Sequence, residues 1–135
     1  KQYLEGVLNN NEYRKLTEIL DELDSLDSES IPSVLVHNDM STSHIFWDSD
    51  TRKIGVIDFS DRCLGDPAFD FTGLLDYGDE FFEQTLSFYS GPNGADLANR
   101  ARLYKRRVGV YLLVDSFMTD KITFQEAKRL FDKIS

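Results

Sequence analysis

Leu16, Ile19, Leu20, Leu23 and Leu26 recur three and four positions apart, while Asp21, Glu22, Asp24 and Asp27 fall between or beside them. That spacing predicts an amphipathic helix over residues 12–26 with its acidic residues on a solvated face. Upstream, Tyr3, Leu4, Val7 and Leu8 also keep helical spacing, as if the chain opened within a helix begun earlier. Pro32 then pushes Ile31 toward an extended conformation, and the pattern changes. Val34-Leu35-Val36 reads as a short buried strand. Ile45-Phe46-Trp47 and Ile54-Gly55-Val56-Ile57 are two further β-prone runs, and the polar stretch from Asp48 to Lys53 is their hairpin turn.

Past Ile57 the pattern is helical again. Asp66 before Pro67 sets a capping oxygen ahead of a proline at the first helical position, predicting a helix to about Tyr77 that Gly78 stops. Asp79 is expected to cap a helix through about Tyr89, followed by a loop over residues 90–94. Asp96 should cap a long helix to about Met118, and Thr123 with Glu126 forms a capping box for the last one. Phe81, Phe82, Phe88, Tyr104, Tyr111 and Phe117 are spaced as helix-packing core. The fold expected is α+β, mainly helical, with one small β-hairpin near its first third.

Composition narrows the partners. A chain of 135 residues, 41% hydrophobic, supports a core and a single domain over residues 1–135. Its 15 Lys+Arg against 24 Asp+Glu leave a formal charge of −9, which repels phosphate backbones and anionic lipid. No nucleic acid and no membrane is therefore expected as a partner, and a cationic small molecule is the more natural guest. Cys63 is the only cysteine, which excludes an internal disulfide and fits a reducing, cytoplasmic location. The sequence has no run of 18 apolar residues and no basic-then-apolar leader, so neither a membrane span nor a signal peptide is expected.

The residues able to do chemistry gather in two places: His37-Asn38-Asp39-Met40-Ser41-Thr42-Ser43-His44 between two apolar strands, and Asp58-Phe59-Ser60-Asp61 after the hairpin. Hairpin topology puts His44, at the start of one strand, beside Asp58, at the end of its antiparallel partner. Together they could share a divalent cation, with Asp39 on the adjoining loop. Taken singly, each has a plainer reading: Asp39 an Asx-turn residue, Asp58 a cap, His37 a buried, satisfied histidine. A small metal hydrolase with His37, Asp39, His44 and Asp58 as ligands is one class these residues leave open.

Residues 37–44 resemble the His-x-Asp-x-x-x-x-Asn catalytic loop of aminoglycoside phosphotransferases and their kinase-like relatives. Ile57-Asp58-Phe59-Ser60 is similar to their Asp-Phe-Gly segment, and Gly65-Asp66-Pro67-Ala68-Phe69-Asp70 to the Gly-Asp-Pro-x-x-Asp that follows. The resemblance implies the C-terminal lobe of a protein-kinase-like fold, with the hairpin carrying the site. It implies that Asp39 is the catalytic carboxylate at a substrate hydroxyl, that Asp58 binds Mg²⁺, and that Asp70 supports the loop backbone. Phe46 and Ile57 would form the lower apolar wall of the pocket for ATP or GTP. Two positions depart from the pattern. His44 replaces the usual Asn, as in the 2″-aminoglycoside and macrolide branches, and is read as a metal ligand; Ser60 replaces Gly. Ser41, Asp76 and Asp79 would contact the substrate, the two aspartates neutralising ammonium groups of a polyamine antibiotic. The parent enzyme would then be a resistance kinase.

Nothing before His37 supplies a Gly-rich phosphate loop, a strand Lys or its helical Glu partner. The N-terminal nucleotide lobe is therefore expected to be a separate part of the same enzyme, and the 135-residue chain alone to turn over little. Alternatives within the resemblance are a kinase of a macrolide or another small alcohol, and a degenerate lobe used for interaction.

Overall fold

The computed structural model describes Leu4, residues 6–92 and residues 96–135. The helical reading at Tyr3 and the loop positions 93–94 therefore lie outside the described residues; Leu4, Val7 and Leu8 sit in turns. The chain groups into two compact units, residues 1–26 with 105–135, and residues 27–104.

The first unit is helical. Helix α1 (Asn10–Asp24) starts earlier than its apolar stripe suggests because Asn9 caps it. The Asn9 side chain accepts from the Asn11 and Glu12 N–H groups, and Glu12 reaches back to the Asn9 N–H at 2.8 Å. Its acidic face is exposed as the stripe predicts. Leu16, Ile19, Leu113, Ala127 and Phe131 form the heart of this unit's core, each 2% exposed or less. The last helix, α5 (Phe124–Ile134), begins at the expected Thr123–Glu126 capping box.

The second unit carries two antiparallel ribbons. Strand β2 (Ile45–Asp48) pairs with β3 (Lys53–Val56) in the expected hairpin, with Ile45 opposite Val56 and Trp47 opposite Ile54. Strand β1 (Val34–Val36) pairs with a strand absent from the sequence reading, β4 (Cys63–Gly65), with Val36 opposite Cys63. β4 has three residues and no alternation, so its pairing with β1 rather than its own pattern makes it a strand. The topology has one decisive effect. Residues 37–44 join β1 to β2 and residues 57–62 join β3 to β4, so both connections emerge at the same end of the ribbons.

Helix α2 (Ala68–Thr72) is shorter than expected and tightens into a 3-10 turn over Gly73–Tyr77. Gly78 stops it as predicted, at φ 96°, a conformation that disfavours any Cβ. Asp79 does not cap the next helix. Gly78 holds the cap position of α3 (Asp79–Ser87), Asp79 lies in its first turn, and α3 ends two residues short of Tyr89. Helix α4 (Leu97–Met118) starts directly after Asp96 and ends at Met118; its residues 97–104 belong to this unit.

The aromatic core expectation holds for Phe82 and Tyr104 only. Phe81, Phe88, Tyr111 and Phe117 are exposed, Phe88 by 82%. Phe81 and Phe82 are consecutive on one helix, so only one can face inward, and Phe88 lies beyond the last turn of α3.

Asp66 is the buried polar centre of the second unit. Its carboxylate accepts the Ala68 N–H at 2.9 Å, the Tyr104 hydroxyl at 2.8 Å, and a two-pronged Arg100 guanidinium at 2.7 and 3.0 Å. Burial alone raises the Asp66 pKa, but the bonds from Arg100, Ala68 and Tyr104 outweigh it and the carboxyl stays below its usual range. No described helix is long and apolar enough to cross a membrane.

Candidate active site

The loop between β1 and β2 is held almost entirely by its backbone. Asp70, in the first turn of α2, accepts the N–H groups of His37 and Asn38, both at 2.9 Å. Asn38 takes φ 66°, a left-handed conformation that asparagine tolerates better than most residues. His37 is buried, and both ring nitrogens are engaged by main chain. Nε2 lies 2.8 Å from the Ile57 carbonyl and so carries the donated proton, while Nδ1 accepts the Asp39 N–H at 3.3 Å. One imidazole thus ties the residue before Asp58 to Asp39. With neither nitrogen free, His37 is unavailable as a ligand, and the hydrolase reading loses one of its four.

His44 stands between the two carboxylates. Its Nδ1 donates to the Asp39 carbonyl at 2.7 Å and lies 3.4 Å from Asp39 Oδ2, and its Nε2 is 4.0 Å from Asp58 Oδ2. The His44 carbonyl accepts the Ile57 N–H at 3.1 Å, carrying the β2–β3 ladder one step into the site. Asp58 is the second left-handed residue of the site, at φ 62°. Its Oδ1 accepts both the hydroxyl and the N–H of Ser60, at 2.7 and 3.4 Å. Those bonds hold the Asp58 carboxyl below the ordinary range. Ser60, which departs from the usual glycine, therefore occupies one Asp58 oxygen and leaves the other facing His44.

This donor set suits one oxygen-loving cation. Donating from Nδ1 leaves the lone pair of His44 on Nε2, the atom nearest Asp58. The 4.0 Å gap is within about 4.2 Å, the widest separation of two Mg²⁺ ligands at the usual bond length. Among the described residues, no three His, Cys, Asp or Glu side chains form a ready-made metal cluster. Such an ion would rely on His44 and Asp58 and take its other ligands from water or substrate oxygens.

The remaining expected site residues lie around this centre. Ser41 Oγ is 2.8 Å from Ser43 Oγ, and the Ser41 carbonyl accepts the His44 N–H at 3.0 Å. Phe46 is opposite Gly55, and strand alternation puts Ile57 on that same face; both side chains are about half exposed. A Cβ on Gly55 would meet nothing within 4 Å, so this face is an open apolar shelf. Asp76 lies in the 3-10 turn. Asp79 is paired with Arg102 at 3.2 Å; Arg102 also binds Glu83 at 2.7 Å and covers the Phe82 ring at 4.6 Å. Sequence reasoning gave no role to Arg102 and none to the Ser60 hydroxyl. Ser60 was findable from its place two residues after an Asx turn residue. Arg102, nineteen and twenty-three positions from its partners, carried no local signal.

The model of the phosphotransferase enzyme family matches residues 2–104, the segment containing both loops and Asp70. The chain belongs to this phosphotransferase family. Solved structures agree in fold. The GDP complex of wild-type aminoglycoside 2′-phosphotransferase-IIIa superimposes with a TM-score of 0.83 at 20% identity, over 98% of this chain and 48% of that one. A GDP and kanamycin complex of APH(2″)-IIIa gives 0.82 at 21% identity, over 98% and 48%. A macrolide 2′-phosphotransferase type I gives 0.64 at 22% identity, over 95% and 42%. The phosphotransferase chain therefore spans about half the length of the solved relatives it matches. No curated protein gave a sequence match.

Proposed function

We propose that this chain is the acceptor- and metal-binding lobe of a phosphotransferase. The reaction would move the γ-phosphate of ATP or GTP to a hydroxyl of a cationic small molecule of the aminoglycoside kind. The observation that carries the reading is His44, fixed by the Asp39 carbonyl on one side and presenting Nε2 to Asp58 on the other. On this reading the two carboxylates, one on either side of the His44 ring, have separate tasks. Asp39 lies on the loop that Asp70 and His37 hold in place, where it can orient an acceptor hydroxyl and take its proton. As the acceptor oxygen bonds to the γ-phosphorus, the bond to the bridging oxygen breaks and the nucleoside diphosphate leaves with that electron pair. His44 and Asp58 would hold a Mg²⁺ ion, which would supply neutralisation of phosphate charge. Phe46 and Ile57 offer the base an apolar floor, Ser41 reaches toward substrate or phosphate, and Asp76 and Asp79 attract ammonium groups. The GDP and kanamycin complexes of the structural neighbours support this choice of nucleotide and acceptor class.

The experiment is phosphate transfer by the full-length protein, with ATP and GTP as donors and kanamycin and a macrolide as acceptors. Asp39→Asn should cut turnover by orders of magnitude while acceptor binding persists, and His44→Ala and Asp58→Ala should each weaken Mg²⁺–nucleotide binding. Transfer to the macrolide alone would replace the cationic acceptor with a neutral one. Acceptor binding without transfer under any donor would leave a binding module. Full activity in Asp39→Asn would remove Asp39 from the chemistry.

A further inference from the structure

Gly73 joins α2 to the 3-10 turn with φ −72° and ψ −23°, helical values that any residue adopts. Backbone freedom therefore does not explain a glycine here, but space does. A Cβ at this position would fall 1.8 Å from the Met40 carbonyl oxygen, 2.8 Å from its carbon and 3.1 Å from Ser41 Cα. The obstacle is main chain, and it is the main chain directly after Asp39.

Both sides of this contact are anchored nearby. Across the gap, loop 37–44 is pinned by Asp70 on the His37 and Asn38 N–H groups, by His37 on the Asp39 N–H, and by His44 on the Asp39 carbonyl. On the near side, Phe71 and Leu74 flank Gly73 and are buried. Asp70 and Gly73 are three residues apart, so they lie on one face of the same turn. That face holds the loop by two charge-assisted hydrogen bonds at Asp70 and lets it settle against bare Cα at Gly73.

We propose that Gly73 is a positioning residue: by having no side chain it sets how deeply residues 39–41 seat, and so where Asp39 stands relative to His44 and Asp58. This inference rests on the phosphotransfer reading for its kinetic expression but not for its geometry. A methyl group at 73 must move the Met40 carbonyl by more than an ångström to reach an ordinary contact. A displacement of that size next to a reacting group costs on the order of 100-fold in rate.

The test compares Gly73→Ala with Gly65→Ala in the full-length protein. A Cβ on Gly65 would make ordinary contacts, 3.5 Å to Val36 and 3.6 Å to Phe69, so this variant controls for the chemical change alone. In ¹⁵N-imidazole spectra, Gly73→Ala should shift the His44 ring signals as the Nδ1 bond to the Asp39 carbonyl is stretched. Its kcat should fall about 100-fold with the KM for nucleotide unchanged. Gly65→Ala should leave both readings as in wild type. Folded Gly73→Ala with unaltered His44 signals, or with losses confined to KM, overturns the proposal. Shifted His44 signals in a protein whose wild type transfers no phosphate would uphold the geometry and defeat only the functional reading. Should Gly73→Ala not fold, Asp70→Asn tests the same face of the turn through its other anchor: it should fold and shift the His44 ring signals, and unaltered His44 signals in Asp70→Asn would overturn the proposal.

Discussion

Loop 37–44 and the segment from Asp76 through α3 both present aspartates, yet they are held in opposite ways. Around Asp39, the anchors are backbone groups bonded to buried or half-buried side chains: Asp70 to two N–H groups, His37 to two main-chain atoms, His44 to a carbonyl. Around Asp79, the partner is a half-exposed Arg102 shared with Glu83, and Asp79 itself is 81% exposed. Main-chain anchoring to buried or half-buried groups fixes the backbone directly and is screened little by salt. An exposed charge pair fixes little and is screened within about 10 Å at ordinary ionic strength. Under the proposed function, phosphoryl transfer would need the first kind of control, and recognition of a flexible cation would tolerate the second.

The sharpest way to break this contrast is Asp39→Asn, for which loss of kcat by about 10²- to 10⁴-fold is expected in steady-state assays. An equal loss from Asp79→Ala would mean that the two regions do not differ. Next is Asp66→Ala, which strips the partner from the buried Arg100 and should cost about 3–5 kcal/mol, read by denaturant unfolding. Because the Asp66 carboxyl is held below its usual range, this contribution is present above the unfolded value of 3.8. It should fade as pH falls through the lower, folded value. Asp70→Asn keeps the shape of the loop anchor and removes its charge. About 1–2 kcal/mol of stability should go with it, with kcat falling more than KM rises.

Smaller effects sharpen the contrast. Asp76→Ala with Asp79→Ala should raise the KM for cationic acceptors severalfold at low salt and progressively less as salt is added. Arg102→Met should act in the opposite direction, because it releases Asp79 and Glu83; the change corresponds to about 0.2–1 kcal/mol. The smallest belongs to Asp58. Ser60→Gly should let its carboxyl pKa rise toward 3.8, followed by ¹³C NMR titration, with little effect on fold.

The same contrast explains what could be read from the chain. The hairpin, α1, α4, α5 and the convergence of His44 with Asp58 were legible because each rests on local pattern: apolar spacing, a capping box, two strands with a polar turn between them. The hold of Asp70 on the loop backbone, and the places of Asp39 and Asp58 on neighbouring connections, were legible because their motifs stand at fixed intervals. Strand β4 was not, since three residues without alternation become a strand only by finding β1. Arg100 and Arg102 look alike two positions apart, yet one is buried against Asp66 and the other lies over Phe82. Long-range pairing decides that, and no local window contains it. The exposed Phe88 and Tyr111 were misread for a related reason. Aromatic residues at helical spacing mark a face but do not say whether anything lies against it.

The turn between β2 and β3 sits at the far end of its ribbon from both connections. Asp48 closes it, accepting from the Asp50 and Thr51 N–H groups and from the Thr51 hydroxyl. Four residues of strand place it about 13 Å from the end beside His44 and Asp58. A fluorophore or spin label attached at Ser49 would therefore ride on the ribbon that leads to both residues, and would report on its movement from well away from the candidate site.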